Sequence, residues 1–289
     1  MSQNSNKEEN WDLEIHASNP VFGLNIKELI RYKDLIRLFV KRDFISIYKQ
    51  TILGPLWIIL QPVLTTITFT IIFGNVAKIG TDGIPQSLFY LAGITVWAYF
   101  SDCVIKTSDT FIANQNIFGK VYFPRLVIPL SIVTTNLIKF FIQLLLFIGV
   151  YIVDINFIHT EANIHLSYGL LLLPVIIIIM IFLGMGMGLI ISALTTKYRD
   201  LRFLIQFGIQ LAMYASPIVY PLSKAGKYAN LLRLNPMTNV IETFKYAFFG
   251  QENMLNIPWL LYSLGMSIII LLIGLFLFNR VERSFMDTI

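Results

Sequence analysis

The stretch "LLLPVIIIIMIFLGMGMGLIISAL", residues 171–194, carries no charged side chain. A helix of roughly 20 apolar residues is long enough to cross the hydrocarbon core of a bilayer, which is about 30 Å thick. A strand of a membrane barrel would instead alternate apolar and polar residues over about ten positions. Since this stretch shows no alternation, it predicts a membrane-spanning α-helix.

The rest of the chain has the same character. Its 289 residues are 56% hydrophobic and only 13% charged, and the mean hydropathy is +0.69, which is more apolar than a soluble domain. We predict an all-α membrane protein with six transmembrane helices, at residues 52–76, 86–110, 127–153, 167–195, 203–221 and 258–279. The first thirty residues are polar and lack the apolar core of a signal peptide, so we expect that none is removed.

This pattern divides the chain into four parts. We predict a cytoplasmic segment at 1–25, an amphipathic interface helix at 26–50, a six-helix transmembrane domain at 51–280 and a cytoplasmic tail at 281–289. Most of the 22 Lys and Arg residues then lie on the side of the amino terminus, which places both termini in the cytoplasm. The basic residues assigned to the opposite side are Lys78, Lys224, Lys227, Arg233 and Lys245.

Several kinds of chemistry are unsupported by the sequence. Cys103 is the single cysteine and lies in a predicted span, and the three histidines are scattered, so neither a disulfide nor a metal site is expected. The phosphate-binding pattern G-x-x-x-x-G-K-[ST] is missing, so this chain should not bind ATP. Basic and aromatic residues are not grouped as on a nucleic-acid surface. We expect no catalytic residue, metal, cofactor or nucleic-acid partner.

The segment before the first span is amphipathic. Asn25 and Glu28 fit a capping box, and apolar residues recur at helical spacing from Ile26 while basic residues occupy the other faces. Such a helix lies in the membrane interface with its basic side toward anionic headgroups, although a simple topological anchor is the alternative. Gly54 and Pro55 then end the helix, and the chain turns into the membrane.

Two predicted spans carry polar and aromatic residues along one face. They are Trp57, Gln61, Thr65 and Thr68 on the first span, and Gln206, Gln210 and Tyr214 on the fifth. One explanation is hydrogen bonding between helices. The other is a hydrated path in which rings offer apolar faces to sugars and amides offer hydrogen bonds.

Charged and small residues within the spans have specific expected roles. Lys139 would cost about 2.5 to 3.5 kcal/mol at the bilayer centre, so it should face the protein or reach the interface. Asp102, Lys106 and Asp109 are spaced for pairing on one helix face, and either carboxylate could neutralise Lys139; an ion relay is the alternative. Close packing between helices is expected at three small residues spaced four apart, Gly184, Gly188 and Ser192.

Two loops contain predicted short helices. In "FIANQNIFGKVYFPR", residues 111–125, we expect Phe118, Tyr122 and Phe123 to be exposed and to dock into a groove on a partner, or to form an interfacial aromatic belt. Between the last two spans, Asn235 and Pro236 form a helix start. The helix predicted at 236–249 is about 21 Å long, too short to cross the membrane, so it should be re-entrant or lie at the outer surface.

Four segments carry a resemblance to a known family. The chain resembles the permease subunits of ATP-binding-cassette exporters for O-antigen and teichoic-acid polysaccharides over residues 26–280, and the matching segments occur in the same order. They are "KRDFISIYKQTILGPLWIILQP", "NIFGKVYFPRLVIPL", "ALTTKYRDLRFLIQFGIQLAMYASPIVYP" and "LNPMTNVIETFKYAFFG".

The resemblance implies a homodimer in the bacterial inner membrane that works with two separate ATPase subunits, which hold ATP and Mg. It would export a polyprenyl-pyrophosphate-linked polysaccharide, with O-antigen favoured over teichoic acid or capsule. Together with the residue patterns, it assigns the substrate channel to Trp57, Gln61, Thr65, Gln206, Gln210 and Tyr214. A cytoplasmic gate with lipid-pyrophosphate contacts is assigned to Arg37, Lys41, Arg42, Leu53 and Gly54. Coupling to the ATPase is assigned to Asn116, Phe118, Lys120, Tyr122, Phe123 and Arg125. The periplasmic gate is assigned to Tyr220, Pro221, Asn235, Pro236 and Phe244.

Two other functions remain as alternatives. An ion-coupled secondary transporter predicts inverted repeats, and the first three spans show no convincing similarity to the last three. A membrane enzyme acting on lipid-linked sugars needs a polar catalytic cluster, such as paired carboxylates, and the only candidate lies within the second span.

Overall fold

The computed structural model describes residues 26–49, 51–121, 123–158, 164–198 and 200–285. The described residues form helices and loops without a strand, which confirms the all-α prediction. The helices are α1 (Ile26–Arg31), α2 (Lys33–Tyr48), α3 (Trp57–Phe69), α4 (Gln86–Ser108), α5 (Thr110–Ala113), α6 (Gln115–Phe118), α7 (Val127–Val153), α8 (Leu173–Thr195), α9 (Leu201–Tyr214), α10 (Ala229–Arg233), α11 (Pro236–Phe249) and α12 (Ile257–Phe285). Short 3-10 or π turns extend α3, α7 and α8.

Five described segments are long and apolar enough to cross a membrane. They are Gly54–Val76, Gln86–Ser108, Val127–Ile158, Tyr168–Thr195 and Glu252–Glu282, and they correspond to five of the six predicted spans. The remaining prediction, at 203–221, falls on α9, which ends at Tyr214. Pro217 follows, and a proline lacks the N–H that a helix needs and restricts the residue before it. Six spans therefore stay a prediction.

The amino-terminal helix is confirmed over its described part, as α1 and α2 joined by a turn at Tyr32. Helix α2 packs along α7, and Phe39 on its inner face meets the Phe123 ring at a centroid distance of 5.8 Å. The proposed capping residue Asn25 lies outside the described residues. The chain then turns at Gly54, whose φ of 50° is a conformation that glycine adopts without strain.

Helix α4 is the centre of the bundle. An apolar stretch of 18 residues in α4 is 78% buried, whereas the corresponding stretches of the other four candidate spans are between 17% and 39% buried. The predicted small-residue contacts are confirmed, because α8 approaches α4 closely at Gly184 and Gly188 and Ser192 is fully buried. A Cβ added at Gly186, on another face of α8, would lie 2.7 Å from the Leu271 nitrogen of α12.

Helix α11 has the bounds predicted from its end signals. The Asn235 side chain accepts a hydrogen bond from the Met237 N–H at 3.1 Å, and Gly250 ends the helix with a φ of 71°. Most of the α11 side chains are buried, and the helix packs against α4, α8 and α12. It therefore lies within the bundle, which favours the re-entrant placement over one along the outer surface.

Candidate functional site

Helix α4 has one open face in its second half. The partly exposed residues there are Ala98, Ser101, Asp102, Ile105, Lys106 and, at the helix end, Asp109, and their neighbours on the other faces are buried. They recur at intervals of three and four residues, so they lie in one row. We call this row the α4 stripe. Charged groups in a membrane-embedded helix are costly against lipid, so the stripe is a candidate site for contact with water, protein or substrate.

The α4 stripe contains the charge cluster that the spacing predicted. The Lys106 Nζ donates to Asp102 Oδ2 at 3.1 Å and to Asn136 Oδ1 at 3.2 Å. The Lys139 Nζ lies 3.6 Å from the same Asp102 oxygen. The predicted pairing of Asp102 with Lys106 is thus confirmed, and Asp102 also lies within ion-pair distance of Lys139.

The other carboxylate of the α4 stripe has a partner that sequence reasoning missed. Asp109 Oδ2 lies 3.2 Å from Arg202 Nε, at the start of α9. No spacing rule could find this pair, because the two residues lie on different helices far apart in the chain. The pair connects the end of α4 to the beginning of α9.

The predicted polar faces of α3 and α9 are exposed. Trp57, Gln61, Gln206, Gln210 and Tyr214 are exposed and Thr65 is partly exposed, while both helices pack their other sides against α4. Thr65 donates to the Gln61 carbonyl of its own helix at 2.9 Å. This bond satisfies the Thr65 hydroxyl within its own helix, and the described hydrogen bonds join none of these side chains to another helix. Both observations favour the hydrated-path explanation over hydrogen bonding between helices of one chain.

The residues assigned to the cytoplasmic gate lie on α2 and the turn that follows it. Arg37 lies 3.2 Å from Asp34, and Arg42 lies 2.7 Å from Asp43; Lys41 is exposed. Leu53 is exposed beside Gly54. A Cβ built at Gly54 would meet nothing within 4 Å, so the backbone conformation, and not crowding, is what favours glycine there.

The predicted coupling segment does contain short helices, α5 and α6, but its aromatic rings are not exposed as predicted. Phe118 is 6% exposed and Phe123 is 5% exposed, and their rings lie 5.7 Å apart between centroids. The prediction of exposure is wrong because the segment folds back against the bundle and buries the large apolar area of these rings. Tyr122 lies outside the described residues.

Arg125 is also buried. Its Nη1 donates to the Glu282 carbonyl of α12 at 3.3 Å, and its guanidinium lies 5.2 Å from the centre of the Phe118 ring. Burial lowers the pKa of Arg125, and the Glu282 charge opposes that shift. Arg125 therefore anchors the segment to α12, while Asn116 and Lys120 remain exposed and available to a partner.

The residues assigned to the periplasmic gate have mixed environments. Asn235 donates from Nδ2 to Ser216 Oγ at 3.1 Å, so the start of α11 is tied to the turn after α9. Tyr220 and Pro236 are partly buried and Pro221 is buried. Phe244 is fully buried in the core, so its side chain is not available to line an opening in this conformation.

Among the basic residues predicted to lie on the outer side, Lys245 has the environment that differs most from the prediction. Its side chain is 0% exposed, and Nζ lies 3.9 Å from Glu242 Oε1. Nζ also donates to the Pro217 carbonyl at 2.5 Å and lies 3.4 Å from the centre of the Phe89 ring. The sequence did contain a signal for this ion pair, since Glu242 and Lys245 are three residues apart on a predicted helix.

The described residues contain no group of His, Cys, Asp and Glu able to hold a metal ion. The site instead consists of exposed polar faces and one charge cluster. Such an arrangement suits passage or binding of a polar molecule within a membrane.

Comparison with known proteins gives a consistent assignment. The sequence profile of the ABC-2 type transporter family matches residues 34–249. A relative from Myxococcus xanthus, the O-antigen export system permease protein RfbA, is 25% identical over 273 residues, which are 91% of this chain and 98% of the relative. Two proteins of the same name from Klebsiella pneumoniae are each 28% identical, over 88% of this chain and 94% of their own length.

Proposed function

This chain belongs to the ABC-2 type transporter family, and from that premise we propose that it forms the non-catalytic membrane channel of an ATP-driven polysaccharide exporter. The substrate we propose is an O-antigen polysaccharide attached to a polyprenyl pyrophosphate carrier. The observation that carries this proposal is the match to O-antigen export permeases over nearly the whole length of both chains. A separate ATPase subunit supplies the energy.

The α3 and α9 faces are the proposed walls of the channel. Both faces carry exposed amides and aromatic rings, which suit sugar hydroxyls and sugar ring faces. One copy leaves these faces open on its surface. Two copies that face each other would enclose a polar path between them, so we propose a homodimer that assembles with two ATPase subunits.

Access to the channel is proposed to begin at α2. Lys41, together with Arg37 and Arg42, would attract the pyrophosphate through charge-assisted hydrogen bonds. The exposed Leu53 and the turn at Gly54, which has a positive φ, lie between this helix and the channel face of α3. This turn is the proposed cytoplasmic gate, with both chain termini in the cytoplasm of a bacterium.

The ATPase is proposed to contact the exposed side of residues 114–121, through Asn116 and Lys120. Since Arg125 joins this segment to α12, a displacement there would be passed into the bundle as a rigid movement of helices. At the opposite end of α9, residues 215–221 and the start of α11 form the proposed periplasmic gate. Its two sides are held together by the Asn235–Ser216 hydrogen bond.

The decisive experiment is reconstitution of the permease with its ATPase in proteoliposomes that contain lipid-linked O-antigen. We expect glycan to cross the membrane only with ATP and an active ATPase, and a Walker-mutant ATPase provides the matched control. Glycan transport driven by an ion gradient, without ATP or the ATPase, would overturn the proposal in favour of a secondary transporter. Chemical conversion of the glycan by the permease alone would favour an enzyme.

A further inference from the structure

We infer that Lys106 and Lys139 form an anion-binding site on the α4 stripe that takes a diphosphate group inside the membrane-embedded part of the protein. This inference rests on the proposed function for the source of the ligand, the pyrophosphate of the lipid carrier. The site is distinct from the basic residues of α2, since it lies on the bundle's central helix and its neighbour α7.

The charges of the cluster do not balance. Lys106 and Lys139 both approach a single oxygen of Asp102, at 3.1 and 3.6 Å. The other carboxylate of the stripe, Asp109, is engaged by Arg202. The cluster of two ammonium groups and one carboxylate therefore has a net charge of +1.

A surplus cation at this position needs an explanation. One lysine would be enough to neutralise Asp102, and an ion pair that only stabilised packing would have no use for the second. An unbalanced charge in a membrane-embedded helix is expensive and typically marks a pathway or a ligand. Among the residues that the structure describes, Asp102 is the only carboxylate within ion-pair distance of either lysine, so an anionic ligand would complete the charge balance.

A hydrogen bond to Asn136 fixes the position of the Lys106 ammonium group, and the side chains of the cluster are partly exposed to solvent. Asn136 accepts from Lys106 at 3.2 Å and is itself held against Cys103 Sγ at 3.6 Å. Lys139 is 12% exposed, whereas the side chains of Lys106 and Asp102 are 37% and 43% exposed. A ligand can thus reach the cluster from the open side of α4.

Hydrogen-bonding capacity also remains for a ligand. An ammonium group has three N–H donors, and the described bonds of Lys106 use two of them. The Lys139 Nζ is farther from Asp102 than a hydrogen bond allows. A diphosphate offers several anionic oxygens, so one such group can accept from both lysines at once.

The α4 stripe also has a suitable location for the proposed cargo. Helices α3 and α9, whose exposed faces are the proposed channel walls, both pack on α4. A carrier that slides along this stripe would keep its diphosphate near cations while its glycan contacts the amides and rings. The cluster would then be a resting point for the carrier between α2 and the outer end of the channel.

The test measures pyrophosphate binding to the full-length permease in nanodiscs of zwitterionic lipid, by isothermal titration with inorganic pyrophosphate. Lys139→Met should weaken binding about tenfold or more. Asp102→Asn should tighten binding severalfold and make it more salt-dependent, because the net charge of the cluster rises to +2. Lys227→Met removes an equal charge from an exposed position beyond the far end of α9 and should leave binding unchanged.

These variants separate an anion site from a structural ion pair. If Asp102 only stabilises packing, Asp102→Asn will weaken binding or leave it unchanged, and that result would overturn the inference. Equal affinity of the unaltered chain and Lys139→Met would overturn it as well. Thermal unfolding checks that each variant folds; Lys139→Gln and Lys106→Met replace any variant that does not.

The source of the ligand is tested with two further probes. Polyprenyl pyrophosphate in the nanodisc should compete with inorganic pyrophosphate, whereas phosphatidylglycerol at the same density should not; the reverse pattern would reassign the site to a phospholipid headgroup and overturn the carrier assignment. If the Lys139→Met variant binds pyrophosphate normally and its ATP-driven export is unchanged, the inferred anion site is wrong and the proposed function stands. If the site binds pyrophosphate but transport needs no ATPase, the proposed function fails instead.

Discussion

Lys245 is enclosed by protein on all sides, on a helix that the sequence predicts to be re-entrant or at the outer surface. It holds together three parts of the molecule, because its ammonium group contacts Glu242 on α11, the Pro217 carbonyl after α9 and the Phe89 ring on α4. Removing one partner of a buried ion pair typically costs about 3 to 5 kcal/mol, since the other charge is left unpaired.

Lys245→Met is therefore expected to lower the unfolding temperature of the purified protein markedly. The double variant Lys245→Met with Glu242→Gln should recover part of the loss, because no buried charge then lacks its partner. Lys227→Met, which removes an exposed lysine, is the control and should leave the unfolding temperature unchanged. Differential scanning fluorimetry in detergent measures all three, and equal unfolding temperatures for Lys245→Met and the unaltered chain would contradict the assignment.

Gly186 supports a second prediction at this scale. The Cβ of Gly186→Ala would lie 2.7 Å from the Leu271 nitrogen, so α8 and α12 would have to separate, at an overpacking cost of about 1 to 3 kcal/mol. Gly265→Ala on α12 meets nothing within 4 Å and should be neutral or slightly stabilising. The comparison uses unfolding temperature, and similar values for the two variants would show that the close approach is unimportant.

Residue patterns could predict contacts within one helix but not every contact between helices. The spacing of Asp102 and Lys106 was sufficient to predict their pairing, and the cost of a buried Lys139 was sufficient to predict a carboxylate partner. The Asp109–Arg202 pair depends on how α4 and α9 pack, which the local sequence does not encode. The burial of Lys245 was missed because the positive-inside rule assigns a lysine to one side of the membrane and carries no information on how it packs.

At the scale of helices, strong end signals made boundaries predictable. Asn235 with Pro236 at one end and Gly250 at the other gave the bounds of α11. Helix α9 shows the limit of hydropathy, because the apolar sequence continues through Ile218 and Val219 while the helix ends before Pro217. The exposure of Phe118 and Phe123 was mispredicted for a related reason, since burial of a loop depends on the surface that it folds against.

The coupling segment gives a prediction that separates structure from partner binding. Phe118→Ala removes a buried ring and should decrease the free energy of unfolding by about 3 to 5 kcal/mol. The measurement would show this as a lower unfolding temperature. The pair Asn116→Ala and Lys120→Ala changes exposed residues only. It should leave the unfolding temperature unchanged and reduce the amount of ATPase that copurifies; undiminished copurification would show that the ATPase docks elsewhere.

At the scale of the whole molecule, the exposed faces differ in chemistry. The exposed face of α12 includes Ile268, Leu272 and Ile273, which suit contact with lipid. The exposed face of α9 includes Gln206 and Gln210, whose amides would lack hydrogen-bond partners in hydrocarbon. The polar face is therefore the one that a second copy or water should cover.

Cysteine cross-linking tests this difference cleanly, because Cys103 is buried. Phe207→Cys on α9 should cross-link between copies in native membranes after mild oxidation, whereas Leu272→Cys on α12 should not; both positions are 58% exposed in one copy. The products are measured as dimers on a non-reducing gel. Efficient cross-linking at 272 with none at 207 would place the contact between copies on the α12 side.

The shortness of α9 has a consequence for the surrounding bilayer. Its 14 residues extend about 21 Å, whereas the hydrocarbon core is about 30 Å thick. In the predicted six-span arrangement, lipid meets this helix, and the acyl chains there would have to compress to match it, at a cost that grows with every ångström of mismatch. The length of the lipid acyl chains in the host membrane would thus affect the rate of transport. Shorter acyl chains would ease the passage of a headgroup beside α9, and longer acyl chains would resist it.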